Sequence, residues 1–190
     1  MPDLRLAWAV ARGGRAERRE AAWALVRRLL AREGHPDALL SNPCPRCGGP
    51  HGPVRVAGAP WRASVSYAGA VAVVGIHPDT VTAFGLDAEP LADPVRDAGG
   101  GVDGGLLRWV RTEAVLKADE RGLRIDPAEL EFTEAGNGWS ARISDRTEAF
   151  IGWEPDGVPG ILVSVALMRG AASSPQRLGA DAFGSGGRAR

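Results

Sequence analysis

One lysine stands among the 23 basic residues, Lys117, and the other 22 are arginines. An ammonium is a compact point charge whose proton can be given up, whereas a guanidinium holds its proton at any working pH. A position that keeps lysine in such an arginine-rich chain is a candidate for chemistry that needs that difference. Glu113 lies four residues before it, hence one turn away on the same face of a helix. At 100° per residue, Leu107, Trp109, Val110, Ala114 and Leu116 form one apolar arc, with Glu113 and Lys117 near its middle. Arg108, Arg111, Thr112 and Asp119 fall opposite, with Val115 as an apolar intruder. An ordinary surface pair belongs on the polar side and contributes little. Two charges on the buried side cost several kcal/mol per ion unless they are paired or serve a ligand. A site is therefore expected there, with a structural ion pair as the alternative.

Asp87 and Glu89 are the second element of the same chemistry. Residues i and i+2 of a strand share a face, so Gly85-Leu86-Asp87-Ala88-Glu89 aims two carboxylates at one point. Two like charges held that close favour a cation, and oxygen ligands suit Mg²⁺, which takes one or two carboxylates and keeps waters or substrate phosphates. An Asp-x-Glu alone is more often a solvated strand edge. With Glu113 there are three carboxylates that could share one metal.

The elements that must position these groups read as follows. Residues 4–11 and 61–68 alternate as strands, and 70–77 is a third, joined tightly to the second around Gly69. Residues 15–33 form a helix with Ala22, Leu25, Leu29 and Leu30 at helical spacing, stopped by Gly34. The strand at 82–90 ends at Pro90, 91–105 is a mobile loop, and 106–121 is the helix of Glu113 and Lys117, stopped by Gly122. WSARIS, TEAFIGW and ILVSVAL, over 139–167, are three closing strands. Residues 171–190 lose hydrophobic periodicity and are expected to be a disordered tail. The fold class is α+β with mostly antiparallel strands.

The composition, 44% hydrophobic and 24% charged, is that of an ordinary globular chain, and 190 residues can bury roughly 70% of the unfolded surface without a disulfide or metal staple. Twenty-three acidic residues balance 23 basic ones, which argues against coating a nucleic acid by bulk charge. The longest apolar run, residues 70–76, is far short of the roughly 20 residues a membrane span needs. With two cysteines and an N-terminus unlike a signal peptide, a cytoplasmic location is expected. The turn-rich stretch 41–53 holds Cys44-x-x-Cys47 and His51. A closed structural zinc site takes four ligands, a second C-x-x-C is missing, and a thioredoxin-like pair would sit between strand and helix. The stretch is therefore expected to be a structural loop with free thiols.

GLDAE at 85–89, followed about twenty residues later by WVRTEAVLKA at 109–118, resembles the two signature motifs of the 4'-phosphopantetheinyl transferases. Ser64-Val65-Ser66-Tyr67-Ala68-Gly69 resembles that family's Ser-His-Ser strand, with Tyr67 in place of the histidine and Ala68 in place of the following serine. The loop CPRCGGPHGPVRV at 44–56 is similar to one that actinobacterial members carry, but Gly52-Pro53 lacks the basic residue commonly found between the glycine and the proline.

The resemblance implies a magnesium-dependent enzyme that moves the phosphopantetheine arm of coenzyme A to a serine of an acyl or peptidyl carrier protein, releasing 3',5'-ADP. It implies Asp87, Glu89 and Glu113 as metal ligands, Glu113 also as base, and Lys117 as the group that neutralises the phosphoryl charge and protonates the leaving oxygen. Trp109 would wall the site or simply fill the core. Arg27, Arg55, Ser66, Tyr67 and Lys117 are the expected coenzyme A contacts. The implied architecture is a monomeric pseudo-dimer of two similar α/β halves, residues 1–81 and 82–170, each with strands packed on a long helix. Two other functions remain open: a degenerate member that binds coenzyme A or a carrier protein without turnover, and a nucleic-acid module built on the arginine-rich helix at 15–32 and the Cys44-x-x-Cys47 loop.

Overall fold

The computed structural model describes residues 3–170; the expected tail at 171–190 lies outside the described residues. The chain runs β1 (Arg5–Val10), α1 (Arg15–Arg32), β2 (Leu39–Ser41), β3 (Arg55–Ala57), β4 (Trp61–Ala68), β5 (Val71–Pro78) and β6 (Val81–Pro90), then α2 (Pro94–Ala98), α3 (Gly105–Asp119), β7 (Leu130–Ala135), β8 (Gly138–Ile143), β9 (Phe150–Trp153) and β10 (Ile161–Arg169). It is a mixed α+β fold with antiparallel sheets, ordered β1-β5-β4, β6-β10-β9-β8-β7 and β2-β3.

α1 forms because Ala22, Leu25, Val26, Leu29 and Leu30 recur at helical spacing, and that buried stripe packs on Ala72, Val74 and Ile76 of β5. The opposite face of β5 presents Val73 to the residues of β6 and β10, so this strand is apolar on both sides. β4 and β6 belong to different sheets and are stitched by a side chain: Ser64 Oγ accepts from the Leu86 amide at 2.9 Å. The first sheet ends with β5 at Pro78, and the second begins with β6 at Val81.

α3 lies across β6 and β10, and Gly85 sets how closely. A Cβ at Gly85 would press into the Ala114 carbonyl and the Ala118 amide, with the Ala118 Cα at only 3.0 Å. The missing side chain lets helix backbone rest on strand backbone, which brings Lys117, beside Ala118, down onto Asp87, two residues along the strand. Gly85→Ala is expected to destabilise by about 1–3 kcal/mol through overpacking, lowering Tm by at least ~2 °C. A variant that melts with the parent would contradict this close approach.

Three expectations need correction. α3 is covered on most of its circumference: Val115 is fully buried, and Arg111, Thr112 and Asp119, which the helical wheel places on a solvated side, are buried as well. The charged ones are buried with partners: Arg111 reaches Glu154 at 2.9 Å and Glu134 at 2.5 Å, and Asp119 pairs with Arg121 and Arg146. Leu107, placed in the apolar arc, is 43% exposed. The segment 91–105 contains α2, started by Asp93, whose carboxylate accepts from the amides of Val95 and Arg96, with Pro94 in the first turn. The strand β7 was not anticipated, because most of its side chains are exposed; it pairs with β8 through a turn at Gly136 and Asn137.

Candidate active site

At the junction of the two larger sheets, three elements deliver one polar cluster. β6 supplies Asp87, whose side chain is 5% exposed; α3 supplies Lys117, 31% exposed. Lys117 Nζ donates to Asp87 Oδ1 at 2.6 Å and to Ser66 Oγ at 2.9 Å. Ser66, on β4, donates in turn to Asp87 Oδ1 at 2.7 Å. Both donors use the same carboxylate oxygen. The other, Oδ2, is buried with no hydrogen-bond partner. A buried anionic oxygen without a donor is costly and calls for a partner.

Glu89 and Glu113 complete the cluster, both half-buried. The Glu113 carboxyl is held above the usual carboxylate range, first by burial and then by the negative charge of Asp87, against the pull of Lys117. Glu89 is raised likewise, by burial and by Asp87, while a hydrogen bond from the Trp109 side chain opposes the rise. Trp109 thus touches the site. Three carboxylates and one ammonium leave an excess of negative charge, and each raised carboxyl would be drawn back down by a bound cation. The three are not a closed cage. Among the described residues, one group of His, Cys, Asp or Glu has its ligand atoms all within 4.8 Å, and it is Cys44, Cys47 and His51.

Two adjoining clefts lie along β4. The first, of about 680 Å³, is lined by Lys117, Arg55, Arg46, Arg62, Arg121 and Arg124, among others. Its lining joins residues 44–84, among them Trp61 and Ser64, to residues 116–124 at the end of α3, among them Leu116. Arg55 reaches it while bound by both guanidinium nitrogens to Glu120, at 2.6 and 2.5 Å. Glu120 holds a left-handed backbone at φ 65°, in the first residue after α3.

The second cleft, of about 600 Å³, adjoins the first, sharing His51, Gly52, Val54 and Val65 with it, and is lined further by Arg15, Arg18, Arg19, Trp23 and Tyr67. Ser66 and Tyr67 are adjacent in a strand and point to opposite faces, so Ser66 joins Asp87 while Tyr67 lines this second cleft. The Arg18 guanidinium lies over the Tyr67 ring at 4.9 Å and donates to the Gly69 carbonyl at 2.8 Å, yet its Nε is buried without a partner.

The structure therefore brings together Asp87, Glu89, Glu113, Lys117 and Ser66, with Arg55 in the adjoining cleft. Tyr67 stands apart from that group, in the other cleft. Arg27 lines neither: it is exposed one turn beyond Trp23, with its Nη1 on Glu20 at 2.8 Å. Sequence reasoning paired Lys117 with Glu113, whereas its ammonium rests on Asp87. It also passed over Arg18 and Arg19, whose signal was their i, i+4 relation to Trp23 and Ala22 on the face of α1 that meets β4. No protein-family model matches the chain, and no curated protein is significantly similar to it. No described helix is long and apolar enough to cross a membrane.

Proposed function

We propose that the chain transfers the 4'-phosphopantetheine arm of coenzyme A to a serine hydroxyl of a carrier protein. The observation that carries the reading is the Asp87–Ser66–Lys117 cluster with Glu89 and Glu113 beside it, opening on a cleft lined by arginines. The two halves, each with one long helix against antiparallel strands, are compatible with a pseudo-dimer divided near β6, and the first cleft collects residues from both.

The orphaned Asp87 Oδ2 and the two raised carboxyls fit a hard divalent cation, so Asp87, Glu89 and Glu113 are the residues that would hold Mg²⁺. When bound, the ion would neutralise pyrophosphate charge and orient the phosphoryl group for in-line attack. Glu113, in the same cluster, accepts the proton of the carrier serine as the serine oxygen bonds to the phosphorus bearing pantetheine. The bond from that phosphorus to the bridging oxygen breaks, and 3',5'-ADP leaves. Lys117, held by Asp87 and Ser66, balances the charge of the transferring group and donates a proton to the leaving oxygen. Arginines of the flanking clefts receive the phosphates, Arg55 in the first and Arg18 and Arg19 in the second.

Binding without turnover is the second reading, favoured by Tyr67, which offers a hydroxyl to phosphate where a histidine would offer charge. Calorimetric titration with coenzyme A tests the site itself. Affinity is expected to rise at least ~10-fold when Mg²⁺ is present, because carboxylates and pyrophosphate then share one cation. Equal affinity with and without Mg²⁺ would remove the metal from the account.

A further inference from the structure

We propose that Cys44, Cys47 and His51 bind a zinc-class divalent cation through three protein ligands, leaving a fourth coordination position open to an exogenous ligand. This inference does not rest on the transferase reading. Their ligand atoms all lie within 4.8 Å of one another, and Cys47 Sγ is 3.1 Å from His51 Nε2. Zinc bonds of about 2.3 Å to sulfur and 2.0–2.1 Å to nitrogen place tetrahedral ligands roughly 3.3–3.8 Å apart. Small side-chain adjustments therefore suffice. Two thiolates and an imidazole select zinc or a similarly soft ion, and reject magnesium.

The loop that carries them is shaped before any metal arrives. It spans β2 and β3 and is closed by backbone bonds: the Cys44 amide to the Gly49 carbonyl at 2.8 Å, the Gly48 amide to the Cys44 carbonyl at 2.8 Å, and the Gly52 amide to the Asn42 carbonyl at 2.8 Å. Gly48 turns the chain at φ 70°, which a side chain would strain, and a Cβ at Gly52 would run into the Pro43 carbonyl. Cys47 and His51 are exposed and Cys44 is half-buried, so an ion has a path in.

The missing second C-x-x-C argues against a closed structural zinc with four protein ligands. It does not exclude a three-ligand site, the pattern in which zinc keeps an open position. Cys44 and His51 also line the first cleft with Arg46 and Arg55, so an anionic or thiol-bearing molecule lodged there can complete the coordination shell.

The full-length chain, reduced and stripped of metal, is titrated with Co²⁺ and then Zn²⁺. One equivalent of Co²⁺ is expected to give the thiolate charge-transfer and tetrahedral absorption bands, Zn²⁺ to abolish them, and a large excess of Mg²⁺ to leave them intact. Cys44→Ser, Cys47→Ser and His51→Ala should each weaken Co²⁺ binding at least ~100-fold. Zn²⁺ should raise the Tm of the parent but not of the double serine variant, which separates lost ligation from lost folding. Added imidazole should shift the Co²⁺ bands by entering the open position. Bands absent from the parent, or unchanged in the double serine variant, would overturn the site; bands insensitive to imidazole would overturn the open position.

Discussion

Lys117→Met is expected to remain folded and to lose carrier loading by about 10²–10⁴-fold, the range typical of a positioned acid or base. Methionine keeps the apolar stem and removes the ammonium from Asp87 Oδ1 and Ser66 Oγ. Truncating one partner of a fully buried ion pair costs about 3–5 kcal/mol, but the Lys117 side chain is 31% exposed, which reduces the loss. Ser66 still donates to the stranded carboxylate. A modest fall in Tm should therefore accompany a large fall in rate. Lys117→Arg keeps the charge, yet one compact Nζ now makes both contacts, and a guanidinium is wider and holds its proton. Arginine is expected to fail in catalysis by a similar factor while melting close to the parent. Rates of carrier loading alongside thermal melts separate the two roles. A fully active Lys117→Arg protein would show that this lysine serves structure alone.

Asp87→Ala is expected to reduce transfer by on the order of 10³-fold or more, as loss of a preorganised electrostatic contact does, while the fold survives. The buried carboxylate stands among two others, and its charge helps raise both Glu89 and Glu113. Its removal relieves that repulsion, so both remaining carboxyls should titrate lower in the variant, a shift that carboxyl NMR can follow. Lys117 loses its partner but is exposed enough to turn toward water. An Asp87→Ala protein that loads a carrier at the parent rate would sink the metal assignment. Unchanged titration of Glu113 would contradict the crowding that the geometry describes.

Most of what positions this site is legible in the chain because it is local. The strand at 82–90 and the helix beginning near 105 are marked by alternation, helical periodicity, Pro90 and flanking glycines, and Asp87 and Glu89 share a face by the geometry of any strand. What is not legible depends on contacts across long separations. Ser66 lies 21 residues from Asp87 and 51 from Lys117, and nothing in its local sequence announces that it links them. The helical wheel assumed one solvated side for α3 and misplaced Arg111 and Asp119, whose carboxylate and guanidinium partners come from residues 121–154. Gly85 reads as an ordinary strand glycine until the backbone of α3 is set against it. Arg27 and Arg18 are alike as letters on one helix; only the turn of that helix against β4 puts Arg18 over Tyr67 and leaves Arg27 outside the cleft.

The central claim is group transfer, and intact-mass measurement of the acceptor tests it most directly. The full chain is incubated with coenzyme A, Mg²⁺ and a panel of apo-carrier proteins, with parallel samples containing EDTA and the Lys117→Met variant. The account predicts that at least one carrier gains the mass of a phosphopantetheine group, that an equivalent of 3',5'-ADP appears, and that both vanish with EDTA and fall sharply with Lys117→Met. Coenzyme A that binds in the presence of Mg²⁺ while every carrier keeps its apo mass would contradict transfer and leave a protein that binds without turnover.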